Sequence, residues 1–515
     1  MTATLTPTRP HPSRPAPPRH PARRIPWLAL AALLYAAVQL LAVVPAHLGL
    51  GWDETVYVSQ VDPRTPAAFF SAPRSRGISY LVAPLLAVTA SPTALRVTLA
   101  LASAAALYAA FRVWRPLLGR APVALAALGF GTLWVTVLYG SQAMPNLWVA
   151  LAAVAAVGWF LRAAGPSAPR RAYAMLAACT AAATLFRLSD GFWLALPLLT
   201  GTLLVRAWRR PAPLLALLAG LTLGGAPWIA EAYRRFGGIG PRLHASSATE
   251  GGMRPHWNVP AAWHDLNGPL LCRPCTAQLT HPAHTLWWLA LPALTAAACG
   301  LAVRTRRPGT TLLPIACALA LGAPYLLLID YFAPRFLLPA YALLSLPLAA
   351  LAVHVVRAFR PRTARAFALA ALLALGAAHL ATQYAGLHTN LADARTSTAH
   401  YAKASTSLHR LGLRAPCLIA GEHAPPIAYA TGCASANVTG NNLDTTPTAL
   451  RHAAAHHPTA TLTRAHHTPF YAHGWTPHPL PGTGLTAYTP PPDLWHGEQP
   501  PELTVDSRPA SPLDP

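Results

Sequence analysis

Charge is what this chain has least of. Asp, Glu, Lys and Arg make up 11% of its 515 residues, where a water-soluble protein carries about 25%. That shortfall excludes an ordinary soluble enzyme. Acids are the scarcest, 16 against 39 basic residues, and every basic residue except Lys403 is Arg. The chain also has no Gly-rich phosphate-cradling loop and no nucleotide motif. What it has in abundance is apolar sequence, 53% of positions, gathered into long blocks. A helix needs about 20 apolar residues to cross the hydrocarbon core, and the blocks supply them. The composition is that of a membrane protein.

The positive excess of +23 follows a rhythm. Arg9, Arg14, Arg19, Arg23 and Arg24 precede the first apolar run. Further clusters lie around 112–120, 162–171, 206–210, 304–307 and 357–365, so that 21 of the 39 basic residues fall in alternate connecting segments. All 16 acids fall in the other segments. The positive-inside rule accounts for this alternation with no nucleic-acid partner. The expected fold is an all-α polytopic membrane protein of about 11 spans: 26–46, 94–114, 121–139, 143–162, 172–187, 190–207, 212–231, 284–303, 310–329, 335–356 and 365–385. The N-terminus is then cytoplasmic and the C-terminus outside, and the transmembrane domain runs over 26–385. Residues 78–90 are apolar but too short to cross and read as an interfacial helix. The first run is too long for a secretion-signal core and reads as an uncleaved anchor, preceded by a disordered cytoplasmic arm (1–25).

Outside the membrane lie loops 47–93 and 232–283 and everything after 386. The tail reads as a small extracytoplasmic α/β domain over 386–490. Pro416–Ala420, Thr459–Thr463 and Leu485–Thr489 are its strands and Pro425–Thr431 a short helix, with a disordered end over 491–515. Of the seven cysteines, Cys179, Cys299 and Cys317 sit within spans and read as packing residues. Cys417 and Cys433 could be bridged in an oxidising space. Cys272-Arg-Pro-Cys275 reads as a tight structural disulfide, because a redox motif of this type needs a βαβ setting that the loop lacks. The 22 histidines, including His456-His457 and His466-His467, lack acids at ligand spacing and read as solvated surface. No metal or other cofactor is expected.

Candidate chemistry gathers where charge follows a span without being needed for solubility. Asp53 and Glu54 form an acidic pair directly after the first span, within Gly51-Trp52-Asp53-Glu54-Thr55-Val56-Tyr57. They read either as loop solvation or as a base held at the membrane surface. Arg96, Arg187 and Arg335 stand at the outer ends of spans, against the topology rule. Asp190 reads as a helix N-cap, Glu231 and Arg235 as a one-turn ion pair, and Asp330 as a group that orients Arg335.

The order of span, acidic pair, Arg74-Ser75-Arg76, amphipathic helix, Leu95-Arg96-Val97 and span resembles the GT-C superfamily of polyprenyl-phosphate-sugar-dependent glycosyltransferases. The resemblance is to their aminoarabinose-transferase-like and protein O-mannosyltransferase-like branch. Tyr139-Gly140-Ser141-Gln142-Ala143-Met144-Pro145-Asn146 is similar to the second outer loop of that family. Tyr331-Phe332-Ala333-Pro334-Arg335-Phe336-Leu337-Leu338-Pro339 is similar to its Pro-Arg-Tyr-Leu-Leu-Pro segment. The likeness covers about 26–385. It implies an inverting transfer on the outer face from a polyprenyl-phosphate sugar to a lipid, glycan or protein acceptor, in contact with membrane lipids. Asp53 matches the family's first-loop acid and would be the base, with Glu54 as second choice. Arg335, Arg76, Arg74 and Arg187 would hold the donor phosphate, and Gln142 and Asn146 would belong to the second loop or acceptor side. Asn146 departs from the acid that many relatives carry there. The alternative is a catalytically inactive homologue, or a transporter or glycan-binding protein of the cell envelope. The near-absence of ionisable groups within the spans disfavours transport.

Overall fold

The computed structural model describes residues 26–491 apart from 166–167, 274, 276–278, 280, 307, 441 and 465–467. The N-terminal arm, the C-terminal end from 492 and the His466-His467 pair lie outside the described residues.

Each apolar block becomes a helix. Among the described residues, eight helices are long and apolar enough to cross a membrane, and a ninth crossing is made if the pair Arg120–Gly131 and Trp134–Gly140, bent by 76°, counts as one. The blocks at 172–187 and 190–207 form the 17-residue helices Arg170–Phe186 and Leu188–Leu204, each about 25 Å long at 1.5 Å per residue. The chain turns sharply between them at Arg187, which leaves the helical region. The interfacial segment is the ten-residue helix Gly77–Leu86. It lies tight against its neighbour: a Cβ at Gly77 would fall 2.7 Å from the carbonyl oxygen of Leu185.

The Pro145–Ala163 helix is the centre of the bundle and packs against the Arg170–Phe186, Leu338–Ala358 and Pro92–Arg112 helices. Its run of Ala, Val and Gly lets neighbouring backbones approach closely, which is how helices associate without a solvent-driven force. The outer helices turn large apolar side chains outward, among them Leu33, Leu41, Leu223 and Leu319. Bands of this kind are explained by lipid rather than by water.

The longest helix, Arg362–Arg410, has 49 residues and spans about 74 Å at 1.5 Å per residue. That is more than twice a hydrocarbon core of about 30 Å. Its first half exposes Phe367, Leu369, Leu373 and Leu375, whereas Ala404 and Leu408 in its second half are buried in the core of the C-terminal domain. It passes position 385 without a break.

The C-terminal domain holds a five-stranded sheet of order β2-β1-β3-β5-β4, with β1 Leu418–Gly421, β2 Ala434–Ala436, β3 Thr459–Arg464, β4 Thr476–Leu480 and β5 Leu485–Thr489. β1 pairs in parallel with β2 and β3, and β5 pairs antiparallel with β3 and β4. The expected β1, β3, β5 and the helix Ala424–Thr431 are present. The sequence reading missed β2, β4 and the helix Pro447–His456. β2 has three residues, too few for a pattern, and β4 carries Pro477 and Pro479, which argue against a strand unless it lies at an edge. β4 is the edge. Cys417 and Cys433 form a disulfide, as do Cys272 and Cys275.

Candidate functional site

The site begins with a short helix, Trp52–Val58, that follows the first apolar span. Its first turn carries Asp53 and Glu54, where the unsatisfied backbone N–H groups favour negative charge. Adjacent helical residues point in different directions, and these two meet different partners.

Glu54 is buried, with 3% exposure, and both its oxygens are engaged. One accepts from the backbone N–H of Ala143 at 2.7 Å and from Arg96; the other accepts from Arg96 Nη2 at 2.8 Å and from the N–H of Gly51 at 3.0 Å. Arg96 also donates to the carbonyls of Gly49 and Ser141. This cluster ties the first loop to the Pro92–Arg112 helix and to the segment before the Pro145–Ala163 helix. Arg96 thus pairs with a first-loop acid, which is what a cation at the end of a span requires.

Asp53 faces a cavity of about 970 Å³ and its side chain is 24% exposed. Its Oδ1 accepts from Arg74 Nη2 at 2.7 Å and its Oδ2 from Arg335 Nη2 at 2.8 Å, although Arg335 is 282 residues away in the chain. Burial would raise the Asp53 carboxyl, but the two guanidinium groups outweigh it and hold the group below the usual carboxylate range. Arg335 stands in the turn Pro334–Leu337. It donates to the carbonyl of Leu270 at 2.9 Å and to the Tyr139 hydroxyl at 3.4 Å, and its Nε finds no partner among the described residues. Arg74 lies over the Tyr57 ring at 5.1 Å. Two arginines share one carboxylate, so positive charge is in excess at this point. Planar guanidinium forks on an excess of charge are suited to phosphate oxygens.

The remaining expected residues divide. Arg187 lines the cavity, pairs with Asp190 at 3.3 Å and lies over the rings of Tyr325 and Phe336. Asp190 is not an N-cap: it sits inside the first turn and accepts from the Tyr325 hydroxyl at 2.5 Å. Gln142 lines the cavity. Asn146 does not; it is fully buried in the first turn of the central helix, and neither of its side-chain polar atoms finds a partner among the described residues. Arg76 is placed elsewhere too, bound to Glu231 and to Gln60 Oε1. Glu231 does pair with Arg235, at 2.8 Å, and also holds Arg242. The carboxylate that holds Arg335 is Asp53 rather than Asp330.

Sequence reasoning missed three contributors. Arg273 lines the cavity over the Tyr331 ring at 4.4 Å; it lies between two cysteines whose pattern drew the attention instead. Glu250 lines the cavity and accepts from the Tyr331 hydroxyl. The third is the C-terminal domain itself, which closes the far wall with Gly421–His423 and Asn437–Gly440. It is fastened to the first loop by the Tyr429 hydroxyl donating to Asp62 and by Asn442 Nδ2 donating to the carbonyl of Phe69 at 3.3 Å. The signal for it was a loop rich in Asn and Gly between short strands.

The architecture that carries this cavity is similar to that of solved membrane-protein structures. One is that of ArnT from Cupriavidus metallidurans in complex with undecaprenyl phosphate, with a TM-score of 0.64 and 12% identity over 92% of this chain and 99% of that one. The apo ArnT structure gives a TM-score of 0.63 at 14% identity. The Archaeoglobus fulgidus oligosaccharyltransferase in its apo form gives 0.55 at 13% identity, over 85% of this chain and 69% of that one. No family model matches the chain, and no curated protein sequence does.

Proposed function

We propose that the protein is a membrane glycosyltransferase that moves a sugar from a polyprenyl-phosphate donor to a cell-envelope acceptor on the outer face of the membrane. The observation that carries this reading is the convergence of Asp53 with Arg335 and Arg74 in one cavity. A fold in common with ArnT, whose structure holds undecaprenyl phosphate, supports the choice of donor. In this reading the chain makes eleven crossings, with the 17-residue helices Arg170–Phe186 and Leu188–Leu204 as two of them. The N-terminus is cytoplasmic and the 386–490 domain extracytoplasmic.

The reaction is one displacement. Asp53 takes the proton of an acceptor hydroxyl as that oxygen bonds to the anomeric carbon of the sugar. The bond from that carbon to the phosphate oxygen breaks on the opposite face, so the configuration inverts. The lipid phosphate leaves with the electron pair, held by Arg335, Arg74 and Arg187. Phosphate and Asp53 compete for the same arginines. As the donor phosphate draws Arg335 and Arg74 to itself, Asp53 loses the charges that depress its pKa and becomes a stronger base. Glu54, already saturated by Arg96 and two backbone N–H groups, positions the loop that carries Asp53. Gln142 is an acceptor-side contact, and Arg76 and Asn146 act in the scaffold.

The test is turnover of the reconstituted protein with labelled polyprenyl-phosphate sugars and envelope membranes. Asp53→Asn is expected to lose about 10²–10⁴-fold in rate, the usual contribution of a positioned base, while remaining folded and inserted. Unchanged turnover in a folded Asp53→Asn protein sinks the assignment.

A further inference from the structure

The cavity has two ends of different chemistry. Every Lys or Arg among the described lining residues comes from the membrane domain and its loops: Arg74, Arg96, Arg187, Arg273 and Arg335. The opposite end is formed by the C-terminal sheet and the adjoining stretch of the Arg362–Arg410 helix, and brings no Lys or Arg to the lining. It presents amides and hydroxyls instead, from Ser397, Thr398, Asn437, Thr439, Asn442 and Thr463. An anionic ligand finds no guanidinium or ammonium group in the lining there, only the imidazole of His423. Two carboxylates in the wall, Asp393 and Glu422, disfavour it further.

The place in the sheet is equally specific. β1 is central among the three parallel strands, with β2 on one side and β3 on the other. The connection leaving β1 runs to β2, and the chain then crosses back to β3. Strand order therefore reverses at β1 and β3, and open α/β sheets bind ligands outside the carboxyl ends of strands at such a reversal. Gly421 ends β1 and Leu462 and Thr463 lie toward the end of β3, and all three line the cavity. Gly421 has φ +89°, and a Cβ there would fall 2.3 Å from the carbonyl oxygen of Leu462. The crevice admits no side chain at that point. Asn437, just beyond β2, and Thr463 both line the cavity, and each is 8% exposed. Beside them Phe470, 60% exposed, stands edge-to-face with Tyr471 at 5.3 Å. Both rings line the cavity.

From this we infer that the carboxyl edge of the C-terminal sheet is the acceptor subsite, and that the acceptor is a neutral glycan whose terminal hydroxyl reaches Asp53. The inference rests on the transferase reading of the cavity and adds its second substrate. Sugar hydroxyls donate and accept, as amide and hydroxyl side chains do, and an exposed aromatic face packs on the C–H face of a pyranose. A phosphorylated lipid headgroup or an acidic peptide would instead ask for guanidinium groups, which this end lacks.

The experiment uses the full chain, fluorescently labelled in lipid nanodiscs, on an array of neutral, phosphorylated and carboxylated oligosaccharides and peptides. Binding of undecaprenyl phosphate is measured on the same preparations. Neutral glycans are expected to retain the protein. Thr439→Val, which removes an exposed hydroxyl and keeps the shape of the side chain, and Phe470→Ala, which truncates an exposed ring, are each expected to weaken retention about tenfold, as loss of a designed contact to a substrate does. Neither is expected to change undecaprenyl phosphate binding. Arg335→Ala is expected to do the reverse. Retention only on phosphorylated glycans or peptides overturns the inference, as does no retention, or retention indifferent to both domain variants. Glycan retention without undecaprenyl phosphate binding keeps the glycan site and removes the transferase reading.

Discussion

Asp53 and Glu54 are neighbours in one turn of one helix, yet they belong to different parts of the molecule. The Glu54 region is closed. Its carboxylate and the Arg96 guanidinium are almost without exposure, and four N–H contacts saturate the acid. The Asp53 region is open. One carboxylate, 24% exposed, divides itself between two arginines at the wall of a large cavity. A saturated buried pair fixes geometry, because breaking it costs more than forming it gains. An unsaturated set with excess charge is available to a ligand. An acid pair in sequence therefore does not mean two acids in chemistry.

The sharpest break of this contrast is to neutralise each acid in turn. Asp53→Asn is expected to remove about 10²–10⁴-fold of turnover with little change in thermal unfolding, whereas Glu54→Gln is expected to lower the unfolding temperature. Equal losses of activity at equal stability would erase the distinction. Arg96→Ala, which strands Glu54 without its cation, is expected to destabilise by about 3–5 kcal/mol, read as a fall in unfolding temperature in detergent. A smaller effect separates the arginines. Arg335→Ala is expected to weaken undecaprenyl phosphate binding and to lower turnover about 10²–10³-fold, while Arg76→Ala leaves binding of that lipid unchanged because its partners are Glu231 and Gln60.

The mildest effects are in pH. Asp53 is depressed in the folded protein, so its contribution to stability is complete above the unfolded value near pH 4 and is lost as pH falls through the lower folded value. Asp444 behaves oppositely. Burial pushes its carboxyl up to about 7, with hydrogen bonds from Asn437 offsetting part of the shift. Its favourable contribution is complete below about pH 4 and is lost as pH rises through 7. Unfolding temperature is therefore expected to fall between pH 5 and 8 by an amount that Asp444→Asn reduces.

Much of this was legible before folding was considered. The Arg clusters and apolar blocks announce the helices because bilayer insertion imposes length and charge rules on each segment separately. Asp53, Arg96, Arg187 and Arg335 stood out because charge beside a span is costly unless something uses or satisfies it, whereas Arg74 entered only through the family resemblance. Arg76 lies only two residues beyond Arg74 and reads identically in sequence, yet it turns to Glu231. Arg273 was hidden by the cysteines around it. Strand β2 was too short to have a period, and β4 was masked by its prolines. Nothing local marks Asn437 or Thr463 as cavity walls, because what makes them so is the docking of one domain on another.

The sequence alone determined that the chain is a bundle of membrane helices with one charged face, since hydropathy and charge act segment by segment. Which carboxylate is spent and which is open was decided only in three dimensions. That outcome depends on Arg335 arriving beside Asp53 from 282 residues away, and on a small sheet closing the cavity from the other side. Contacts between such distant parts follow from packing, which no window along the chain contains.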